Sequence, residues 1–287
     1  MRRAGVLGVV LAAAVGCGPE KEAPDVVRVP TGRGGEAAPQ VPKASDPAAA
    51  ELVARALKAN TDGHPERLEK GKTNTSLVKG TSRGPDGKLA SATRTVRAAW
   101  PDRFRVDFEF PTAEPKDRIM GLRRPTFWMY TSGPGGLTEF RVPNPEEYAD
   151  VLAADAVGQH WLPTLVPLID PKVVVFDAKK QDYGREPAET VKVAVPGCPV
   201  YTLWFHPDTL RLGAVSYTHA EAAGAGTFHK RLTMDKHKDF GGVMLPTRLD
   251  FSRNAQSVEE WGVERWDLGA AVDDAAFDPP PTTPAKK

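Results

Sequence analysis

The residues best placed to do chemistry are the histidines, six in all. Three are followed two residues later by an acid: His206 with Asp208, His219 with Glu221, and His237 with Asp239. On a strand, positions i and i+2 share a face, so each pair could offer two ligands to a divalent metal and serve a metal-dependent hydrolase. However, His206-Pro-Asp and His219-Ala-Glu fall where strands run into turns, and polar residues belong there in any case. No His-Glu-x-x-His occurs, so no metal site is assigned. Nucleophilic catalysis finds no support either. There is no Gly-x-Ser-x-Gly, and Cys198, in Val195-Pro-Gly-Cys-Pro199, reads as a half-buried spectator thiol in a turn. Carboxylates are spread along charged strand faces instead of being paired as a glycosidase needs. Gly133-Pro-Gly-Gly136 lacks the Lys-Ser/Thr and helix of a phosphate loop, which makes it a hairpin turn. No catalytic residue and no cofactor is assigned, and the chain is expected not to be an enzyme.

The elements that would have to position any site are mostly strands. In Trp100–Phe110, the apolar Phe104, Val106, Phe108 and Phe110 alternate with Arg103, Arg105, Asp107 and Glu109. Successive side chains on a strand point to opposite faces, so this is an antiparallel strand with one covered and one wet face. Thr73–Ser82 and Lys88–Ala99, joined by a Gly-Pro-Asp-Gly turn, precede it; Arg118–Leu122, Thr126–Ser132 and Leu137–Val142 follow. Beyond Pro171 come Val173–Asp177, Thr190–Val195, Val200–His206, Arg211–His219, Phe228–Phe240, Val243–Ser252 and Val258–Trp266. In Val200–His206, Tyr201, Leu203 and Phe205 share one face.

Two segments read as helical. Asp46 caps a helix opened by Pro47, with Ala49, Leu52, Val53, Ala56 and Leu57 on one face. Asn144-Pro145 opens the second, which runs to about Leu162 and is interrupted by Pro163 and Pro167. Its apolar end, with Trp161, Leu162, Leu165, Val166, Leu168 and Ile169, is either a lid of short pieces across a concave sheet or plain core packing. No helix follows each strand, which excludes a parallel βαβ sheet. The expected fold is mainly β with helices (α+β): a single curved antiparallel sheet, an unclosed β-barrel, wrapped around the N-terminal helix and the central helical lid.

The ends read differently. Residues 1–16 form a signal peptide, with Arg2 and Arg3 before an uncharged run from Ala4 to Gly16 that is too short to span a bilayer. Ala14-Val15-Gly16-Cys17 resembles the lipobox of bacterial lipoproteins, although leucine is commoner at the place of Ala14. That resemblance implies cleavage before Cys17 and its diacylation by groups such as palmitate, which anchors the chain in a membrane. Removing residues 1–16 takes away two of the 38 Lys+Arg and none of the 37 Asp+Glu, leaving one net negative charge. A chain so near neutrality has no electrostatic footprint for nucleic acid. With Cys17 acylated, Cys198 is left without a disulfide partner. Residues 17–44 then form a lipidated, disordered tether, whose random-coil span is about 30 Å. The folded domain covers 45–279, and 280–287 form a disordered tail.

The order of these pieces is similar to the LolA/LolB-like lipoprotein carriers and receptors of the bacterial envelope. Trp100-Pro-Asp-Arg-Phe-Arg-Val106 resembles the family's strand signature. Ile119-Met-Gly121 through Phe127-Trp-Met-Tyr130 resembles its next pair of strands, and Val272-Asp-Asp-Ala-Ala-Phe-Asp-Pro-Pro280 its C-terminal ending. The likeness spans about residues 46 to 281. It implies an unclosed antiparallel barrel with a helical lid over an apolar cavity and a role in lipoprotein sorting. Soluble carriers of the family often keep a basic residue before the strand proline to gate the lid, where this chain has Trp100. The acylated cysteine matches the anchored receptor member instead, and Gly18 after it points to the outer membrane, facing the periplasm.

The apolar rows Phe104, Val106, Phe108, Phe110 and Tyr201, Leu203, Phe205 are therefore candidate cavity-lining residues. At about 0.8 kcal/mol per buried CH₂, an acyl chain of about fourteen carbons has ample drive to enter such a cavity. The expected partners are the membrane, through Cys17, and a lipid or lipoprotein acyl chain. The alternatives are a solidly packed structural or interaction module meeting another envelope protein and, remotely, the metal-dependent hydrolase.

Overall fold

A computed structural model describes residues 44–83, 88–113, 115–133, 136–142, 144–183, 186–220 and 226–281. The expected signal peptide, Cys17, the tether up to residue 43, the tail from 282 and Glu221 lie outside the described residues. Helix α1 (Pro47–Asn60) comes first, then a 3-10 segment (Pro65–Lys72). Six strands follow: β1 (Thr73–Arg83), β2 (Leu89–Ala99), β3 (Arg103–Glu109), β4 (Asp117–Arg123), β5 (Thr126–Gly133) and β6 (Gly136–Glu139). Helix α2 (Pro145–Ala156) continues through a π turn (Val157–Trp161) and two 3-10 turns (Leu162–Thr164 and Val166–Ile169). The second set is β7 (Val174–Tyr183), β8 (Glu186–Ala194), β9 (Val200–Phe205), β10 (Leu212–Ala220), β11 (Thr227–Asp235), β14 (Arg248–Arg253) and β15 (Gln256–Leu268), with a small hairpin of β12 (Lys238–Asp239) and β13 (Met244–Leu245) inserted.

Thirteen strands make one antiparallel sheet in the order β6-β5-β4-β3-β2-β1-β15-β14-β11-β10-β9-β8-β7. The sheet is curved and not closed, because β6 and β7 do not pair. The first and last strands pair with each other in its middle, Asn74 opposite Leu268 and Thr81 opposite Glu260. The central segment Pro145–Ile169 joins the two edges, so it must cross the concave side.

The strand alternation reads straight into burial. Phe104, Val106 and Phe108 face the core from β3, and Tyr201, Leu203 and Phe205 from β9. Asp46 caps α1 by accepting from the N–H groups of Ala48 (2.8 Å) and Ala49 (3.4 Å), while its other oxygen accepts from Asp177 N–H (3.1 Å). The cap thereby pins the helix start to β7, and the buried face of α1 packs on β7 and β8.

Several boundaries differ from the sequence expectation. Trp100 lies in a turn before β3, since Pro101 has no N–H for a ladder, and Phe110 follows the strand end yet is fully buried. The stretch Phe228–Phe240 is broken where Lys236 turns left-handed (φ 53°), and Val243–Ser252 is split around Pro246. The edge strand β6 stops at Glu139, having a partner on one side only. Strands β7 and β8 run on through Lys179–Tyr183 and Glu186–Glu189, a polar hairpin that an apolar pattern does not reveal.

A C-terminal strap closes the convex side. Phe277 is buried, and its carbonyl accepts from Trp128 Nε1–H (3.1 Å). Arg103 pairs with Asp274, Arg123 with Asp278 (3.0 Å), and Arg105 donates to Ala276 O (3.1 Å). Phe277→Ala is expected to cost about 3–5 kcal/mol in urea unfolding. The same variant should red-shift tryptophan emission as Trp128 becomes wet.

Candidate functional site

The two apolar rows face the central segment from opposite halves of the curved sheet and join one core cluster with it. Trp161, Leu162, Leu165 and Val166 are buried in that cluster, whereas Leu168 and Ile169 are half-buried at its rim. Backbone fit is tight at Gly158: a Cβ there would lie 2.4 Å from the Tyr217 ring and 3.1 Å from the Tyr201 ring. Only glycine lets the segment settle so closely between two tyrosines. Tyr201 Oη–H donates to Ala154 O (2.9 Å), which satisfies a hydroxyl that is otherwise fully enclosed.

Polar ties fix the segment at three places. At its start, Lys230 Nζ donates to Asp155 Oδ1 (2.9 Å) and Oδ2 (3.1 Å), and Tyr217 Oη–H donates to Oδ1 (2.7 Å). In its middle, His160 Nε2–H donates to Asn74 Oδ1 (2.7 Å) on β1 while the ring packs against Phe104 and Trp266. Burial, with a smaller effect from the nearby Arg94 charge, lowers the His160 pKa to about 3, so the ring is neutral. At its end, Trp100 Nε1–H donates to Asp170 Oδ2 (2.8 Å) and its ring meets Trp161 edge-on. Trp100 therefore touches the end of the central segment with both its ring and its N–H.

A cavity of about 210 Å³ remains beside this last tie, lined by the apolar Trp100, Phe104, Leu122, Ala153 and Trp161, by Cys198, and by the charged Asp102, Arg103, Arg124, Asp170 and Lys172. It is mostly apolar but below the range of about 300–1,000 Å³ usual for ligand sites. Trp161, Leu162, Leu165 and Val166 pack into one core cluster with both apolar rows, so a longer apolar guest on those rows has to displace them. Cys198 sits between β8 and β9 with its sulfur 3.2 Å from Arg124 Nη2. Burial raises its pKa, partly offset by Arg124, which keeps the thiol protonated at neutral pH.

Of the three histidine–acid pairs, His206 with Asp208 and His237 with Asp239 lie within the described residues, and Glu221 of the third does not. Among the described residues, no three of His, Cys, Asp and Glu come together as metal ligands. Burial lowers the His237 pKa to about 4, and the nearby Arg211 and His206 act in the same direction.

The inward-pointing charges were not singled out from sequence, although strand phase marks them. Lys230 shares its face with Leu232 and Met234, Arg94 with Ala92 and Val96, and Arg118 with Met120 and Leu122. A charge in phase with an apolar row was the available signal.

No family model matches the sequence, and no curated protein matches it. Solved structures with a similar shape include a LolA superfamily protein from Nitrosomonas europaea, 13% identical, covering 75% of this chain and 96% of that one at a TM-score of 0.46. Another is a DUF1329 family protein from Desulfovibrio piger, 12% identical, covering 80% and 96%, with the same TM-score. Likeness at this level says nothing about ligand or partner.

The neutral, enclosed His160 has a pH signature. Its folded pKa is below the unfolded value of about 6.5, so falling pH protonates the unfolded chain first. Stability is then lost from about pH 6.5 down towards pH 3, at up to about 1.4 kcal/mol per pH unit for this group. His160→Gln is expected to be less stable than the parent at pH 7, with the gap narrowing as pH falls. Urea midpoints measured across that range check it.

Proposed function

We propose that this chain is a lipid-anchored cell-envelope protein that binds the acyl chain of a lipid or lipoprotein on the concave side of its sheet. Acylated Cys17 tethers it, in the outer membrane facing the periplasm, and the central segment is the lid that yields to the guest. One observation carries the reading. The apolar concave wall is covered by short, broken helical pieces that leave an apolar cavity at Trp100 and Trp161, not by a second sheet. Such pieces have few hydrogen bonds of their own to lose when they lift.

The reading asks the lid to exchange places with an acyl chain. The guest replaces Trp161, Leu162, Leu165 and Val166 against the same wall, so apolar contact is conserved and the polar ties set the difference. In this account Lys230–Asp155 is the latch. A second reading, a packed interaction module for another envelope protein, is favoured by the small size of the cavity in the closed form and requires the latch never to open.

The two readings part in one experiment, displacement of a fluorescent acyl probe supported by native mass spectrometry. Saturable binding is expected. Asp155→Asn should lower stability by about 3 kcal/mol, because Lys230 is buried and loses that counter-charge. The same variant should tighten apparent probe affinity, because the binding-competent fraction rises. No bound lipid and no saturable binding in either protein would leave the packed module.

A further inference from the structure

The concave face carries two cations, apart from the latch, whose hydrogen-bonding groups are not all met. Arg94 on β2 and Arg118 on β4 both stand opposite Phe108, on either side of it. Arg94 is 8% exposed, its guanidinium carbon 4.7 Å from the Trp261 ring centre. Arg118 lies 4.6 Å over Phe108 and 5.5 Å over Phe110. Stacking of this kind satisfies the guanidinium faces and leaves the N–H groups in the plane of the ion unserved.

Those edges are short of acceptors. The carboxylate shared by the two is Glu259, whose Oε2 lies 3.5 Å from Arg94 Nη1. Both Glu259 oxygens are already engaged, Oε1 by Ser82 Oγ–H (2.9 Å) and Oε2 by Trp261 Nε1–H (2.8 Å). The buried Nε–H groups of Arg94 and Arg118 have no hydrogen-bond partner among the described residues. Burial pulls both pKa values down, and the Glu259 charge only partly restores them. A buried cation with unmade hydrogen bonds is costly, so a group that supplies both the charge and the acceptors is strongly favoured there.

We propose that Arg94 and Arg118 seat the head of the bound lipid, a single carboxylate such as that of a free fatty acid. The seat rests on the acyl-chain reading above and gives the guest a direction. Two guanidiniums against one carboxylate leave one excess positive charge, which a monoanion neutralises and a phosphomonoester near two negative charges overshoots. Carboxylate oxygens in the guanidinium plane accept the in-plane N–H pairs. The tail then runs along Phe108, Val106 and Phe104, about 13 Å of strand, into the cavity beside Trp161. His160 of the central segment packs on Phe104 at 5.6 Å between ring centres, so the tail's path runs under that segment.

The test uses the full chain carrying Cys17→Ser, so that no attached acyl group competes, and an uncharged fluorescent acyl probe. Palmitate should displace the probe about tenfold or more better than hexadecanol, and inorganic phosphate should not displace it. Arg94→Met or Arg118→Met should bring palmitate down to the level of hexadecanol measured in the same variant, with an unchanged circular-dichroism spectrum reporting that the fold is intact. Glu259→Gln should widen the palmitate advantage. Equal displacement by palmitate and hexadecanol in the parent overturns the seat and leaves acyl binding standing. Hexadecyl phosphate outcompeting palmitate overturns the carboxylate, and failure of every amphiphile overturns both readings.

Discussion

The pairing of β1 with β15 decides the rest of the architecture. It joins the two ends of the folded chain in the middle of the sheet, so the edges fall to β6 and β7, which flank the central segment in sequence. A thirteen-strand antiparallel sheet with a right-handed twist curls on itself. The connection between its edges then has one short route, across the concave face. The segment that closes the core is therefore the one attached to the two least-paired strands.

That placement explains why apolar packing and polar ties coexist under the central segment. An edge-to-edge connection held by apolar contact alone could slide, since such contact is not directional. Lys230–Asp155, His160–Asn74 and Trp100–Asp170 each bind the segment to a different part of the chain: β11, β1 and the turn before β3. The same face also holds Arg94, Arg118 and Glu259. A half-barrel that served only as scaffold would gain from apolar residues at these places, because replacing buried charges by packed apolar groups is often neutral or stabilising. Arg94 and Arg118 flank Phe108, so two cations stand at that end of the Phe104–Phe108 row.

Strict alternation made much of this legible in the sequence. Phe104, Val106 and Phe108, and likewise Tyr201, Leu203 and Phe205, had to share a face, and the proline-broken run after Asn144 had to be short helical pieces. What alternation could not supply was pairing across distance. Nothing local in Thr73–Arg83 says that it meets Gln256–Leu268, and without that pairing the crossing of the central segment cannot be placed. The polar hairpin of β7 and β8 was missed for a related reason, since its ladder is carried by backbone and not by apolar side chains. The cation-bearing positions were visible as phase errors, but whether an inward Arg94 meets an acid or a cavity depends on β15. His206 with Asp208 and His237 with Asp239 illustrate the reverse, a local spacing that brings no third ligand among the described residues.

The central claim is that the segment 145–170 fills the place an acyl chain takes. Hydrogen exchange of the full chain with and without palmitate tests it most directly, because exchange reports local opening. Exchange in 145–170 should rise when palmitate binds while β1, β9 and β15 keep their protection. Saturable palmitate binding with unchanged or slower exchange in 145–170 would contradict the claim, because the guest would then be sitting elsewhere.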